Sequence, residues 1–446
     1  MDIDGFRKAL GEVPVIDEPA LVKQKSRDFF WYSPILKAEL TGKYAALVVC
    51  PRHEADVVAV AAAAARHRVP LTPRGAGTGN YGQAVPLAGG AVLDMTGMAT
   101  CHALVDGVAT LDAGVRLIDI DRWARPQGFE LRMYPSTKRS ATIAGFVAGG
   151  SGGIGSIQWG GLREPGNVNA ARVVTVEENP RVLDLVGDET NMVNHTYGTT
   201  GIITRLDIAL APAMAWLDRV VSFADLASAT RFGQALAAAD GIAKKLCSIV
   251  DWPIPQHFRE IAGRLEPGRP IAICMVAPMS LPAFADLVRS HGGRVDAEQD
   301  AVAAEMDPAA TPFYEYTWNH TTLQVLKKDK GITYLQSLFP VGRNVEMVEF
   351  MAARYGEEVK LHLEFIRFAG AVTCSALQIV RYTTPERLKD IIDDHEAHDV
   401  WIANPHVYTL EDGTRHKRLP GDQLGFKRGV DPLGLLNPGK MRSFSP

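Results

Sequence analysis

The stretch Val69-Pro-Leu-Thr-Pro-Arg-Gly-Ala-Gly-Thr-Gly-Asn-Tyr-Gly-Gln-Ala-Val-Pro86 decides how this chain is read. Gly75, Gly77, Gly79 and Gly82 follow one another at short spacing. Residues without a Cβ let backbone N–H groups approach a ligand closely. Successive N–H groups in such a loop form an anion-binding nest, and Arg74 adds a fixed positive charge. The natural guest is a diphosphate, with Arg74, Gly75, Ala76, Gly77, Thr78, Gly79 and Asn80 as candidate ligands. No Gly-Lys-Ser/Thr follows, so this is not a Walker A loop. The glycine spacing also departs from the dinucleotide-binding fingerprint, and an apolar strand at 90–95 follows in place of a helix. Strands at 45–50 and 69–72 flank an alanine-rich helix at 54–66. The loop therefore sits at the carboxyl end of a strand, where α/β ligand sites lie.

A second glycine cluster lies further on: Pro135-Ser136-Thr137, then Ala141-Thr142-Ile143-Ala144-Gly145, then Ala148-Gly-Gly-Ser-Gly-Gly153. Two more motifs follow, Tyr197-Gly-Thr-Thr-Gly201-Ile-Ile-Thr204 and Asp431-Pro-Leu-Gly-Leu-Leu-Asn437-Pro-Gly-Lys440. In this order, over 45–215 and 425–442, the four motifs resemble those of the vanillyl-alcohol-oxidase family, the p-cresol-methylhydroxylase-type FAD-binding oxidoreductases. The resemblance implies FAD as cofactor and an α+β fold: a two-subdomain FAD-binding domain plus a mixed α/β cap with an antiparallel sheet. It implies an N-terminal arm at 1–40, the FAD-binding domain at 41–215, the substrate-bearing cap at 216–400, and a segment at 401–446 that returns to the FAD domain. It also adds Pro135, Ser136, Thr142, Ala144, Gly145, Gly152, Gly155, Ser156 and Ile203 to the cofactor contacts, with Asn437 and Lys440 reaching the flavin or its phosphate. Ala144 stands where the family often has Gly, and Gly150 where it often has Asn. The His-x-Gly-Asp-Gly-Asn-x-His-like segment of the D-lactate dehydrogenase and glycolate oxidase members is missing from the cap. That weakens a metal-assisted 2-hydroxy-acid site and leaves alcohols, sugars and phenols open.

The other features bound the function. Hydrophobic and charged contents of 46% and 22% are those of a globular protein. A net charge of −4 gives no global attraction to nucleic acid or anionic membrane. The N-terminus lacks a signal-peptide pattern, and the longest near-apolar run, 57–65, is far short of a membrane span. Five scattered cysteines without a Cys-x-x-Cys read as free thiols in a reducing cytoplasm, with no metal centre.

A flavin oxidises C–H bonds by accepting a hydride at N5, and the protein supplies orientation and a base. The expected base is His320, in the dense segment Tyr314-Glu-Tyr-Thr-Trp-Asn-His320, where Tyr316 is a further candidate. Arg381 or Arg367 would orient a substrate, and His406 is another polar candidate. His362-Leu-Glu364 reads as a core or surface pair, His395 to His398 as a solvated helix face, and Trp159 as core. Asp184 to Asp188 reads as a turn, as does Arg415-His-Lys-Arg418. The aromatic run Phe29-Phe-Trp-Tyr32 reads as an anchor on the FAD domain. The function expected is an FAD-dependent oxidase or dehydrogenase acting on a hydroxyl-bearing carbon of a small molecule. Oxygen, a quinone or a redox protein would be the electron acceptor, and a homodimer is compatible with the chain. The alternatives are a flavoprotein without net oxidation that works through a flavin–substrate adduct, similar to alkyldihydroxyacetonephosphate synthase, and a non-catalytic FAD-binding protein.

Covalent members carry a histidine where Thr78 stands, and bicovalent members add a cysteine in the second glycine region. Neither nucleophile is present: no His lies between 68 and 101 and no Cys between 102 and 246. FAD is therefore expected to dissociate. Acid precipitation should release the yellow chromophore to the supernatant, whereas colour retained in the pellet would show a covalent bond.

Overall fold

The computed structural model describes residues 1–413 and 421–445. The expected turn at Arg415-His-Lys-Arg418 lies outside them. Three sheets follow one another along the chain.

In the first sheet, Leu47–Val49 and Leu71–Arg74 run parallel to the strand Ala91–Asp94 between them. The helix Glu54–His67 joins the first two strands. Its Val57, Val60, Ala61 and Ala64 recur at helical spacing and are fully buried. It stops at Arg68, in the left-handed region with φ 55°. The N-terminal arm belongs to this unit. Val15–Ile16 pairs antiparallel with Leu47–Val49, and the Asp2 carboxylate bonds His67 of the helix.

The second sheet is antiparallel. It runs Cys101–Val105, Val108–Asp112, Ile202–Pro212, Val168–Val174, Val182–Val186, with Phe129–Leu131 also on Ile202–Pro212. The expected turn at 184–188 is replaced by the strand Val182–Val186 and a following turn of 3-10 helix. Period-two alternation explains this: Leu185 is buried between outward Asp184 and Val186, and Arg172 of the next strand pairs with Asp184.

The third sheet is wholly antiparallel, with the order Arg294–Asp300, Leu217–Ser222, Ile271–Val276, Lys244–Val250, His362–Phe368, Ala371–Arg381, Ile332–Leu338, Trp401–Ala403. Its last strand lies beyond residue 400, where the cap was expected to end. One face carries Cys247, Ile249, Leu363, Phe365, Cys374 and Ala376, packed with Phe232, Leu236, Met347 and Leu388 of covering helices. His395, expected in solvent, is fully buried under this face; its Nδ1 donates to Ile391 O and its ring meets Gln378.

Two buried ion clusters fasten the third sheet to the glycine-rich half of the chain. Lys138 Nζ sits 2.5 Å from Asp121 and 2.7 Å from Glu305, and the Tyr314 hydroxyl donates to Glu305. Burial opposes the charge on Lys138, but the two carboxylates outweigh it and raise its pKa above the lysine value. Glu130, buried at Phe129–Leu131, accepts from Lys245 (2.6 Å) and from the Trp216 indole (2.7 Å). Lys138→Met should strand two buried carboxylates and lower unfolding stability by about 3–5 kcal/mol. Urea unfolding of variant and parent checks this; a change under about 1 kcal/mol would mean that the cluster is not a net clamp.

Candidate active site

A cleft of about 840 Å³ runs between the glycine-rich segments and the third sheet. Its first wall begins where Leu71–Arg74 ends. Gly77 is left-handed, with φ +69°, and a Cβ there would overlap the Arg74 guanidinium. That guanidinium lies beneath the loop and donates to the carbonyls of Arg27 (2.6 Å) and Ala76 (3.1 Å). The expected diphosphate cation thus also ties the loop to the N-terminal arm. A Cβ on Gly75 would overlap Thr142 Oγ1, so the two glycine segments meet where only glycine fits. Thr142 in turn caps the helix Ile143–Gly149, accepting from Gly145 N, and Gln83 Nε2 donates to Gly149 O across the gap.

The N-terminal aromatic run and the tail brace the same loop. Phe29 N donates to Gly79 O (2.8 Å). Asp28 accepts from Phe30 N and Ala84 N, and burial raises its pKa to about 6. Asn437 Nδ2 donates to Gln83 O (2.8 Å) and Tyr197 O (2.7 Å), and Lys440 Nζ donates to Gly82 O (2.5 Å). Burial lowers the Lys440 pKa to about 7. Asn437 and Lys440 therefore support the loop from outside the cleft instead of lining it. Gly155 also lies off the lining; its N–H donates to Lys245 O, and a Cβ there would overlap Arg132 O. The remaining expected cofactor residues, from Arg74 to Asn80, Pro135, Ser136, Thr142, Ala144, Gly145, Gly152, Ser156 and Ile203, all line the cleft. Asn80 Nδ2 and both polar atoms of the Asn194 side chain are buried in this wall without a protein partner. Glycine backbone open to the cleft, with spare amide groups, fits a large ligand with phosphate and heteroaromatic edges.

The second wall follows from strand register. Ser248, Glu364, Ser375, Leu338 and Trp401 lie in one row across five strands, and Leu377, Gln336 and Ala403 continue the adjacent row. These rows face away from the helices and toward the cleft. Glu364 is shut behind Trp318. Its Oε1 accepts from Trp318 N (2.7 Å), the Ser248 hydroxyl (3.1 Å) and His362 Nε2 (2.8 Å). Trp318 is held with φ +51°, a strained value for a bulky residue. Its indole lies opposite Gly152, and its Nε1 is buried with no protein partner.

The residues chosen for chemistry stand mostly elsewhere. His320 lines no part of the cleft; its Nδ1 faces Glu315 O at 3.2 Å, and burial lowers its pKa to about 4. Tyr316 stacks on Phe258, and its hydroxyl accepts from Glu260 N. His406 is a buried brace: Nε2 donates to Tyr334 O, which leaves Nδ1 to accept from the Ser33 hydroxyl. Arg381 is exposed at the end of its strand. Arg367 reaches the rim but is of opposite parity to Glu364, and it pairs with Asp240. His195, Arg163, Gln336 and Ser375 line the cleft and carried no recognisable motif, whereas Tyr81 and Trp318, also in the lining, lie in stretches singled out for other residues. Alternation in Gln336-Ser-Leu338 and Ser375-Ala-Leu377 was the one available signal for the cap residues.

Residues 45–183 match the FAD binding domain family. The chain carries that domain, and its cofactor is FAD. It is 29% identical over 174 residues to glycolate oxidase subunit GlcD of Bacillus subtilis (strain 168), 37% of each chain. It is 31% identical over 173 residues to D-lactate dehydrogenase of Anaerostipes hadrus, 35% of this chain and 34% of that one. It is 26% identical over 226 residues to the probable mitochondrial D-2-hydroxyglutarate dehydrogenase of Oryza sativa subsp. indica, 48% of this chain and 38% of that one. The matches thus span well under half of these relatives' length. A solved structure of alkyldihydroxyacetonephosphate synthase superposes on 97% of this chain and 85% of its own, with TM-score 0.73 at 14% identity. The architecture is the expected α+β fold of the p-cresol-methylhydroxylase type. No helix among the described residues is long and apolar enough to cross a membrane.

Gly75→Val should push the two glycine segments apart. The variant is expected to fold, with an unchanged circular dichroism spectrum, but to purify with most of its FAD missing. Full flavin content would show that the contact with Thr142 does not shape the cradle.

Proposed function

We propose that the protein is an FAD-dependent oxidoreductase that removes a hydride from a hydroxyl-bearing carbon of a small organic substrate. The observation that carries the reading is the cleft itself: glycine backbone and spare amides form one wall, and a partly polar sheet face forms the other. FAD, held along the glycine segments, supplies the two-electron acceptor. The chain's own residues bind and orient the alcohol and take its proton. Trp318 Nε1 and Ser375 Oγ are donors without protein partners on the cap side, suited to the substrate oxygen. His195 takes the place of His320 as proton acceptor. It lines the cleft, and its Nδ1 lies 2.8 Å from Gly150 O. In the reaction the C–H bond breaks with its hydrogen and electron pair leaving for the acceptor that bound FAD would supply, the O–H proton goes to the His195 imidazole, and a C=O bond forms. Oxygen, a quinone or a redox protein then takes the two electrons.

Anaerobic mixing of the holoprotein with hydroxy acids, sugars and alcohols tests this. One class should bleach the flavin, and readmitted air should separate oxidase from dehydrogenase. His195→Gln should slow the bleaching by about 10²–10⁴-fold with FAD still bound, whereas His320→Ala should leave it nearly unchanged. A flavin that stays oxidised with every probe would overturn the reading in favour of adduct chemistry or a non-catalytic role.

A further inference from the structure

The face that the cap sheet turns toward the cleft has no charge to offer a substrate. Its two rows present Trp401, Leu338 and Ser375, then Ala403, Gln336 and Leu377, and Ile366 and Phe368 extend the parity of Glu364. The carboxylate of Glu364 is consumed by three donors behind Trp318. The Arg367 guanidinium is of the opposite parity, reaches only the rim, and pairs with Asp240. At the rim, Phe368 and Trp401 meet edge to face with centroids 6.3 Å apart, each about two-fifths exposed. The polar atoms left over on this side, Trp318 Nε1 and Ser375 Oγ, are neutral.

Such a wall discriminates by charge. A carboxylate moved against it loses its hydration and meets neutral partners alone, a loss that a few neutral donors do not restore. An apolar body gains by leaving water for the same surface, and the aromatic pair at the rim offers it ring faces and edges. The cleft does contain a further guanidinium, Arg163, but it sits on the glycine wall. There it donates to the carbonyl of Asn194, beside the segment that carries His195.

We propose that the substrate is an uncharged alcohol with an apolar body, in contrast to the 2-hydroxy acids for which the relatives are named. This rests on the oxidoreductase reading but is tested separately from it. Matched pairs isolate the charge. With FAD-loaded protein, methyl mandelate should reduce the flavin at least about tenfold more effectively than mandelate, a difference of about 1.4 kcal/mol. The unreactive pair benzamide and benzoate is read by perturbation of the flavin spectrum, and benzamide should bind at least about tenfold more tightly. If no alcohol bleaches the flavin, the oxidation reading fails, and the amide-to-acid binding ratio still decides the charge preference. Equal responses, no response to either ligand, or tighter binding of benzoate overturns the proposal. Leu338→Arg, or Ser375→Lys if that variant does not fold, puts a cation on the neutral face and should invert the ratio. A ratio unmoved by a folded variant would mean that this face does not read the substrate, and would equally overturn it.

Discussion

Everything in the cleft depends on one close approach, that of Gly75 to Thr142 and Gly145. The loop that follows the first sheet meets the N-terminal turn of the helix Ile143–Gly149 there, with only the Thr142 side chain beside the two glycines. Any Cβ at Gly75 would overlap the hydroxyl that caps the helix Ile143–Gly149. Around this contact the rest of the loop is held by bonds to its carbonyl groups. Phe29 N reaches Gly79 O, Lys440 reaches Gly82 O, Asn437 reaches Gln83 O, and Arg74 reaches Ala76 O. Because these partners occupy the carbonyls, the loop's N–H groups can remain turned to the ligand. The N-terminal arm and the C-terminal tail thus brace the glycine loop, although neither is near it in sequence.

The cap is attached by a different kind of force. Lys138 with Asp121 and Glu305, and Lys245 with Glu130, are ion clusters closed off from water. Such clusters hold geometry more than they add stability, because desolvation offsets most of the attraction. Their effect is to fix the angle at which the sheet faces the glycine wall.

The glycine segments were legible in the sequence for a physical reason. Close backbone approach admits one residue type, so the requirement is written into the composition of 75–82 and 145–153. The catalytic side was not legible. His320, Tyr316 and His406 drew attention because of their chemistry, yet each spends its polar atoms on structure, against Glu315 O, Glu260 N, and Ser33 with Tyr334 O. Gln336, Ser375 and Trp318 have no distinctive spacing, and their placement depends on the register of strands far apart in the chain. His362-Leu-Glu364 did show its shared face, but not that Trp318 closes over it.

The sequence by itself determined the FAD cradle and the order of the sheets' segments. Each of these is a local property of residue type or short spacing. Only the tertiary structure decided which side chains meet the substrate space. That choice depends on strand parity, on burial, and on which carbonyl groups each donor finds. A one-residue shift in register would exchange Ser375 and Leu338 for Cys374 and Ser337 on the cleft face.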